Sequence, residues 1–181
     1  MLRRTLVAAL AGFLMLSAPA FAALKTGDKA PDFTLQASQG GKVFTYSLAD
    51  SLKKGPVVVY FYPAAFTKGC TIEAHDFADA IDQYKALGAT VIGVSHDPID
   101  KLQKFSVSEC RSKFPVAADT DQTVEKAYDA VLTEAPQYAN RTSYVIAPDG
   151  SIVYAYTDLE PDKHVQNTLD ALKTYQSTHK Q

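Results

Sequence analysis

The chain has 181 residues, 46% hydrophobic and 21% charged, with 18 Lys+Arg against 20 Asp+Glu and a formal net charge of −2. Those values fit one globular domain and exclude a disordered or collagen-like chain, and the lack of a basic excess argues against a nucleic-acid partner. Two cysteines, Cys70 and Cys110, are too few for a disulfide framework, and the chain is long enough to bury a core without one.

The first residues read as a secretory signal peptide, 1–22. Arg3 and Arg4 supply a positive start, residues 6–16 are an apolar run of 11, and Ala20-Phe21-Ala22 is an A-x-A cleavage pattern. The run falls short of the roughly 20 residues that span a bilayer, and Pro19 interrupts its extension, so removal after Ala22 is expected instead of anchoring. Thr5, Leu6 and Val7 after the arginine pair fit general secretion better than twin-arginine export. Cleavage would leave 159 residues, 23–181, with a formal charge of −4. No later segment is long and apolar enough to span a membrane. The expectation is a soluble domain with no stable membrane association, in an oxidising compartment, the periplasm if the source is Gram-negative.

Within 23–181, the alternating segments 32–36 (DFTLQ) and 43–46 (VFTY) around Gly40-Gly41 predict a strand hairpin. Residues 56–62 (PVVVYFY) form a continuous β-branched and aromatic run, the pattern of a strand buried on both faces. Over 71–87 the positions Ile72, Phe77, Ala80, Ile81, Tyr84 and Leu87 recur at helical spacing, with Gly88 as a stop. Residues 90–95 (TVIGVS) are a second buried strand; Asp97-Pro98 then opens a helix towards Cys110 and Ser112, with Leu102, Phe105 and Val107 inward. A short strand at 114–118, a short helix at 123–131 and strands at 143–147 and 151–156 across Pro148-Asp149-Gly150 follow, then a helix over 162–175. The alternation predicts an α/β sandwich, with a mixed central sheet flanked by helices on both faces.

In such a sheet, reacting groups gather where strand ends feed helix N-termini. Cys70 is at that kind of position: it follows the strand ending at Tyr62 and opens the next helix. Unpaired backbone N–H groups and the positive end of the helix dipole there favour a thiolate, and Lys68 adds charge nearby. Position alone is equally compatible with a buried, inert cysteine.

Pro63-x-x-x-Thr67-x-x-Cys70 resembles the active-site motif of the peroxiredoxins, and its flanks, 57–62 (VVVYFY) and 71–77 (TIEAHDF), resemble the bacterioferritin-comigratory or Q-type branch. The resemblance extends to 27–35 (GDKAPDFTL), 91–95 (VIGVS), 141–146 (RTSYVI) and Pro148-Asp149-Gly150, and covers about residues 25–176. It implies a thioredoxin-like fold and peroxide reduction without a metal or organic cofactor. Cys70 would be the attacking thiolate, becoming a sulfenic acid; Thr67 would hydrogen-bond thiolate and peroxide, and Pro63 would shield the pocket from water. Arg141 would stabilise the thiolate and the charge building on the breaking O–O bond, with Glu73 holding its guanidinium. Taken alone, Arg141 reads as a surface ion-pair residue and Glu73 as a solvated first-turn glutamate.

Many members of this branch carry a second cysteine five residues after the first, where this chain has His75. Cys110 resembles the alternative resolving position. A disulfide needs Cα atoms within about 7 Å, so a Cys70–Cys110 bond would require unwinding after Cys70, around Cys110, or both; a permanent structural disulfide is the competing reading. His75, His96, His164 and His179 show no metal-ligand spacing, and Tyr60, Tyr62 and Phe66 read first as core. The resemblance further implies a peroxide substrate, a thioredoxin-like or other dithiol reductant, and a monomer. Two other readings stand beside it: an exported thiol-disulfide oxidoreductase, weakened by Thr67 standing where a C-x-x-C motif has its partner cysteine, and a copper-delivery or binding protein of similar fold, weakened by a single cysteine in the loop.

Overall fold

The computed structural model describes residues 24–179; the signal-peptide expectation over 1–22 lies outside them. The chain forms β1 (Thr34–Gln39), β2 (Lys42–Ser47), α1 (Leu48–Leu52), β3 (Val57–Phe61), α2 (Lys68–Ala86), β4 (Thr90–Ser95), α3 (Ile99–Ser108), β5 (Val116–Ala118), α4 (Thr123–Ala127), β6 (Thr142–Ile146), β7 (Ile152–Thr157) and α5 (His164–Thr178). One seven-stranded sheet has the order β2-β1-β5-β4-β3-β6-β7. β3, β4 and β5 run parallel, whereas β6 pairs antiparallel with β3, and β1–β2 and β6–β7 are hairpins. The α/β sandwich with a mixed sheet is therefore as the sequence predicts.

β3 is an interior strand between β4 and β6, and all five of its side chains are buried; each valine contributes about 1.5–3 kcal/mol of burial. Its alternation divides the core. Val58 and Tyr60 face one apolar cluster with α2, α3 and α5 residues such as Phe77, Leu102 and Leu172. Val57, Val59 and Phe61 face a second, with Leu48 and Leu52 of α1 and Val124 of α4. Both cysteines belong to the first. α2 ends where the sequence predicts: Gly88 adopts φ +62, the left-handed turn that closes a helix, and its N–H donates to Lys85 O at 2.9 Å.

Several boundaries and faces differ from the sequence reading. α2 begins at Lys68, so Cys70 is the third helical residue. The polar stretch after β2 contains α1, capped by the Ser47 side chain on Asp50 N–H, and α4 stops at Ala127 because Asp129 turns into the left-handed region at φ +51. Ile72, Val107 and Phe66 are exposed instead of inward. Helical periodicity alone could not separate these positions from the core, since exposed single apolar residues are common.

Candidate active site

The loop from β3 into α2 carries Pro63, Thr67 and Cys70. Its backbone is strained at Phe66, a bulky residue at φ +68. Neighbouring elements hold it there: buried Asp97 accepts from Ala65 N–H at 2.6 Å and from Ser95 Oγ at 2.9 Å, and its other oxygen takes Lys101 Nζ at 2.6 Å. The Phe66 ring packs edge-on against Phe105 of α3 with centroids 5.2 Å apart. Thr67 is the N-cap of α2, and its hydroxyl donates to Ala64 O at 2.9 Å, which leaves its oxygen free to accept. Pro63 is half-buried. Cys70 is 1% exposed in the first helical turn, where unpaired amides and the helix dipole favour negative charge.

Arg141 reaches this loop through sheet register. Antiparallel pairing sets Thr142 opposite Phe61, so the residue before β6 stands beside the carboxyl end of β3. The buried guanidinium is held on three sides: Nη2 donates to Cys70 Sγ at 3.6 Å, Nη1 to Glu73 Oε2, and Nε to Leu159 O at 2.8 Å. Gly69 makes room, since a Cβ there would lie 3.0 Å from Nη2. Glu73 is fully buried, and burial outweighs the attraction of Arg141, so its carboxyl keeps a proton to higher pH than a free glutamate.

Cys110 lies two residues past the end of α3, fully buried, and burial pushes its thiol well above the ordinary range. Both cysteines are free thiols. The Cys110 segment is tied to α2 on either side of the sulfur: His75 Nε2 to Glu109 Oε2 at 2.9 Å, and Arg111 to Asp79. Arg111 and Ser112 follow in consecutive left-handed conformations, at φ +49 and +59, costly for residues with a Cβ.

The structure thus brings Cys70, Arg141 and Glu73 into direct contact, flanks them with Pro63 and Thr67, and leaves Cys110 unbonded to Cys70. Sequence reasoning missed four contributors: Asp97, the Leu159 carbonyl, Ser143 and His164. Fully buried His164 exchanges a hydrogen bond with Ser143 Oγ through Nδ1 at 2.8 Å, donates from Nε2 to Asp158 O at 2.9 Å, and lies 3.8 Å from Glu73 Oε1. Burial pushes its pKa down to about 4. One signal was available, because His164, Thr168 and Leu172 share a helical face and all are buried.

The larger cavities lie elsewhere, about 590 Å³ between β7 and α5 and about 700 Å³ beside Gly55 and Gly88. Next to the site is a cleft of about 360 Å³ lined by Lys68, Gly69, Ile72 and 159–162. This cleft is the one beside the Cys70 loop, because Gly69 precedes Cys70 and Leu159 is the residue whose carbonyl holds Arg141.

A lone cysteine in the first helical turn after a central strand, with a buried arginine donating to its sulfur, fits a thiol-based oxidoreductase on a thioredoxin-like scaffold. Residues 26–155 match the AhpC/TSA family. A protein of Mycobacterium tuberculosis named as a peroxiredoxin is 38% identical over 147 residues, covering 78% of this chain and 90% of its own. The chloroplastic peroxiredoxin Q of Populus jackii is 33% identical over 155 residues, 85% of this chain and 70% of its own. The crystal structure of peroxidoxin BcpB from Mycobacterium tuberculosis superposes with a TM-score of 0.75 at 32% identity, over 83% of this chain and 97% of that one. The chain belongs to the peroxiredoxin AhpC/TSA family, and relatives named peroxiredoxin Q and bcp are among its matches. It is a peroxidase-type oxidoreductase with the family's thioredoxin-like fold.

Proposed function

We propose that this chain is an exported peroxidase that reduces hydrogen peroxide and small organic hydroperoxides through Cys70 and is resolved by Cys110. The Arg141 guanidinium 3.6 Å from Cys70 Sγ at the start of α2 carries the reading. The thiolate attacks one peroxide oxygen; the S–O bond forms as the O–O bond breaks, and the leaving oxygen takes a proton to become water or alcohol. Arg141 offsets charge on sulfur and on the leaving oxygen. Thr67 Oγ1 accepts the hydrogen bond of the incoming peroxide, and Pro63 limits water access. Cys70 sulfenic acid then condenses with the Cys110 thiol, forming the disulfide and releasing water. A thioredoxin-like or other dithiol reductant restores both thiols.

The buried Cys110 thiol must become exposed and reach Cys70 for the second step. The strained backbone at Arg111 and Ser112 supports opening of that segment. Export is supported by the N-terminal pattern over residues 1–22; the working protein would then be residues 23–181, in the periplasm if the source is Gram-negative. Intramolecular resolution is compatible with a monomer.

Mass analysis of protein recovered from the exporting cell tests the reading in one measurement. One equivalent of peroxide should lower the mass of 23–181 by two hydrogens, and Cys110→Ser should gain one oxygen instead. Oxidation of Cys70→Ser at the rate of the native chain would overturn the assignment.

A further inference from the structure

The hydrogen bonds around His164 settle its protonation pattern. A carbonyl oxygen only accepts, so Nε2 carries the hydrogen that goes to Asp158 O. In the neutral ring Nδ1 is then a lone-pair nitrogen, and it accepts the Ser143 hydroxyl proton. Burial keeps the ring neutral. Glu73 Oε1 faces this nitrogen at 3.8 Å and has no hydrogen-bond partner, while Oε2 takes Arg141. This nitrogen is already taken by the Ser143 hydroxyl and has no hydrogen to donate, so the neutral ring does not compete with Arg141 for Glu73. A protonated ring would.

The same ring acts on the other anchor of the guanidinium. By holding Asp158 O it fixes the segment whose next carbonyl, Leu159 O, takes Arg141 Nε, and Asp158 N–H donates to Arg141 O at 3.1 Å. Both groups that orient the guanidinium therefore bear on one imidazole, which the Tyr156 ring packs against edge-on at 4.8 Å.

We propose that His164 is a positioning residue of the peroxide reaction: as a neutral imidazole it leaves Glu73 to Arg141 and fixes the Leu159 carbonyl, so that the guanidinium is aimed at Cys70 and the peroxide. The inference rests on the reading of Arg141 given above, and the test separates the two.

The test measures the second-order rate of Cys70 oxidation by hydrogen peroxide beside the rate of alkylation by iodoacetamide, which needs the thiolate but no support for a breaking O–O bond. His164→Asn, which can accept from Ser143 but cannot reach Asp158 O, should slow the peroxide reaction by about tenfold or more and alkylation by less than about threefold, the scale of a misplaced catalytic group. His164→Gln, which can donate to Asp158 O, should recover most of the peroxide rate. In an Arg141→Ala background, His164→Asn should have no further effect. Ser143→Ala serves if the asparagine variant does not fold. Freeing Nδ1 lets the ring take a proton more readily among Glu73, Arg141, Tyr156 and Asp158, so the acid limb of the peroxide rate should move to higher pH. Parallel loss of both rates, native-like kinetics of folded His164→Asn, persistence of its effect without Arg141, or an unmoved acid limb would each overturn the proposal. If Arg141→Ala itself leaves the peroxide rate unchanged, the underlying reading fails and His164 falls with it.

Discussion

Burial sets the terms for the charged groups around Cys70. Glu73 and Arg141 are 0% and 4% exposed, and Arg141 Nη1 donates to Glu73 Oε2. Arg141→Ala should slow oxidation of Cys70 by peroxide about 100-fold or more, the usual loss when a donor to developing negative charge is removed. It should also lower stability by about 1–3 kcal/mol, read in urea titrations, because Glu73 Oε2 stays buried without the hydrogen bond it now accepts. A second buried carboxyl, Glu125, is raised from 4.5 to about 8, chiefly by desolvation. The unfolded chain gives up that proton near pH 4.5 and the folded chain near pH 8, so stability should fall as pH rises through this window. His164 has the opposite sign, because its folded value near 4 lies below the ordinary 6.5, so its contribution is lost as pH falls from 6.5 to 4. Between pH 6.5 and 8 only the carboxyl effect operates of these two, and Glu125→Gln should flatten the decline in urea midpoint there.

In the proposed mechanism the two cysteines must come together, and the elements beside them hold each other in place. α3 grips the Cys70 loop at its start, through Asp97 just before it, and through Phe105 near its end. α2 in turn grips the Cys110 segment through His75 and Asp79. His75, at the position where the resemblance implies a cysteine in many members, is here a latch on Glu109, next to Cys110. A partly exposed pair of this kind contributes about 0.2–1 kcal/mol, so His75→Ala should speed disulfide formation by up to about fivefold. The preceding oxidation of Cys70 should keep its rate. Acid-quenched mass spectra, which count sulfenic acid and disulfide separately, check both; slower disulfide formation would show that the pair guides Cys110 instead of restraining it.

At the scale of the whole molecule, one strand joins the two halves of the core. β3 sends Tyr60 into the cluster that holds both cysteines and its odd-numbered residues into the other. Tyr60 stacks on Phe77 at 4.4 Å, and Phe77 also meets Tyr84 and Phe114. Phe77→Ala should therefore cost about 3–5 kcal/mol in chemical denaturation. Oxidation of Cys70 in the protein that remains folded should be little changed, because the ring partners of Phe77, Tyr60, Tyr84 and Phe114, are not among the groups that hold Arg141.

Strand and helix order, the mixed sheet and the placement of Cys70 at a helix start were legible in the residues themselves, since hydrophobic periodicity and turn chemistry are local properties. The resemblance over Pro63, Thr67, Cys70 and Arg141 added the chemistry to that frame. What the linear chain could not show was which polar groups share the interior. Arg141 stands 71 residues from Cys70, and His164, Ser143 and Leu159 are ordinary residues until β6, the 158–162 turn and the start of α5 enclose them. The exposure of Ile72, Phe66 and Val107 likewise depends on what packs against each helix or loop. Sequence determined the elements and put Cys70 at a helix start, while tertiary structure decided which side chains lose water together, and desolvation is what turns a glutamate, a histidine and an arginine into one positioned group.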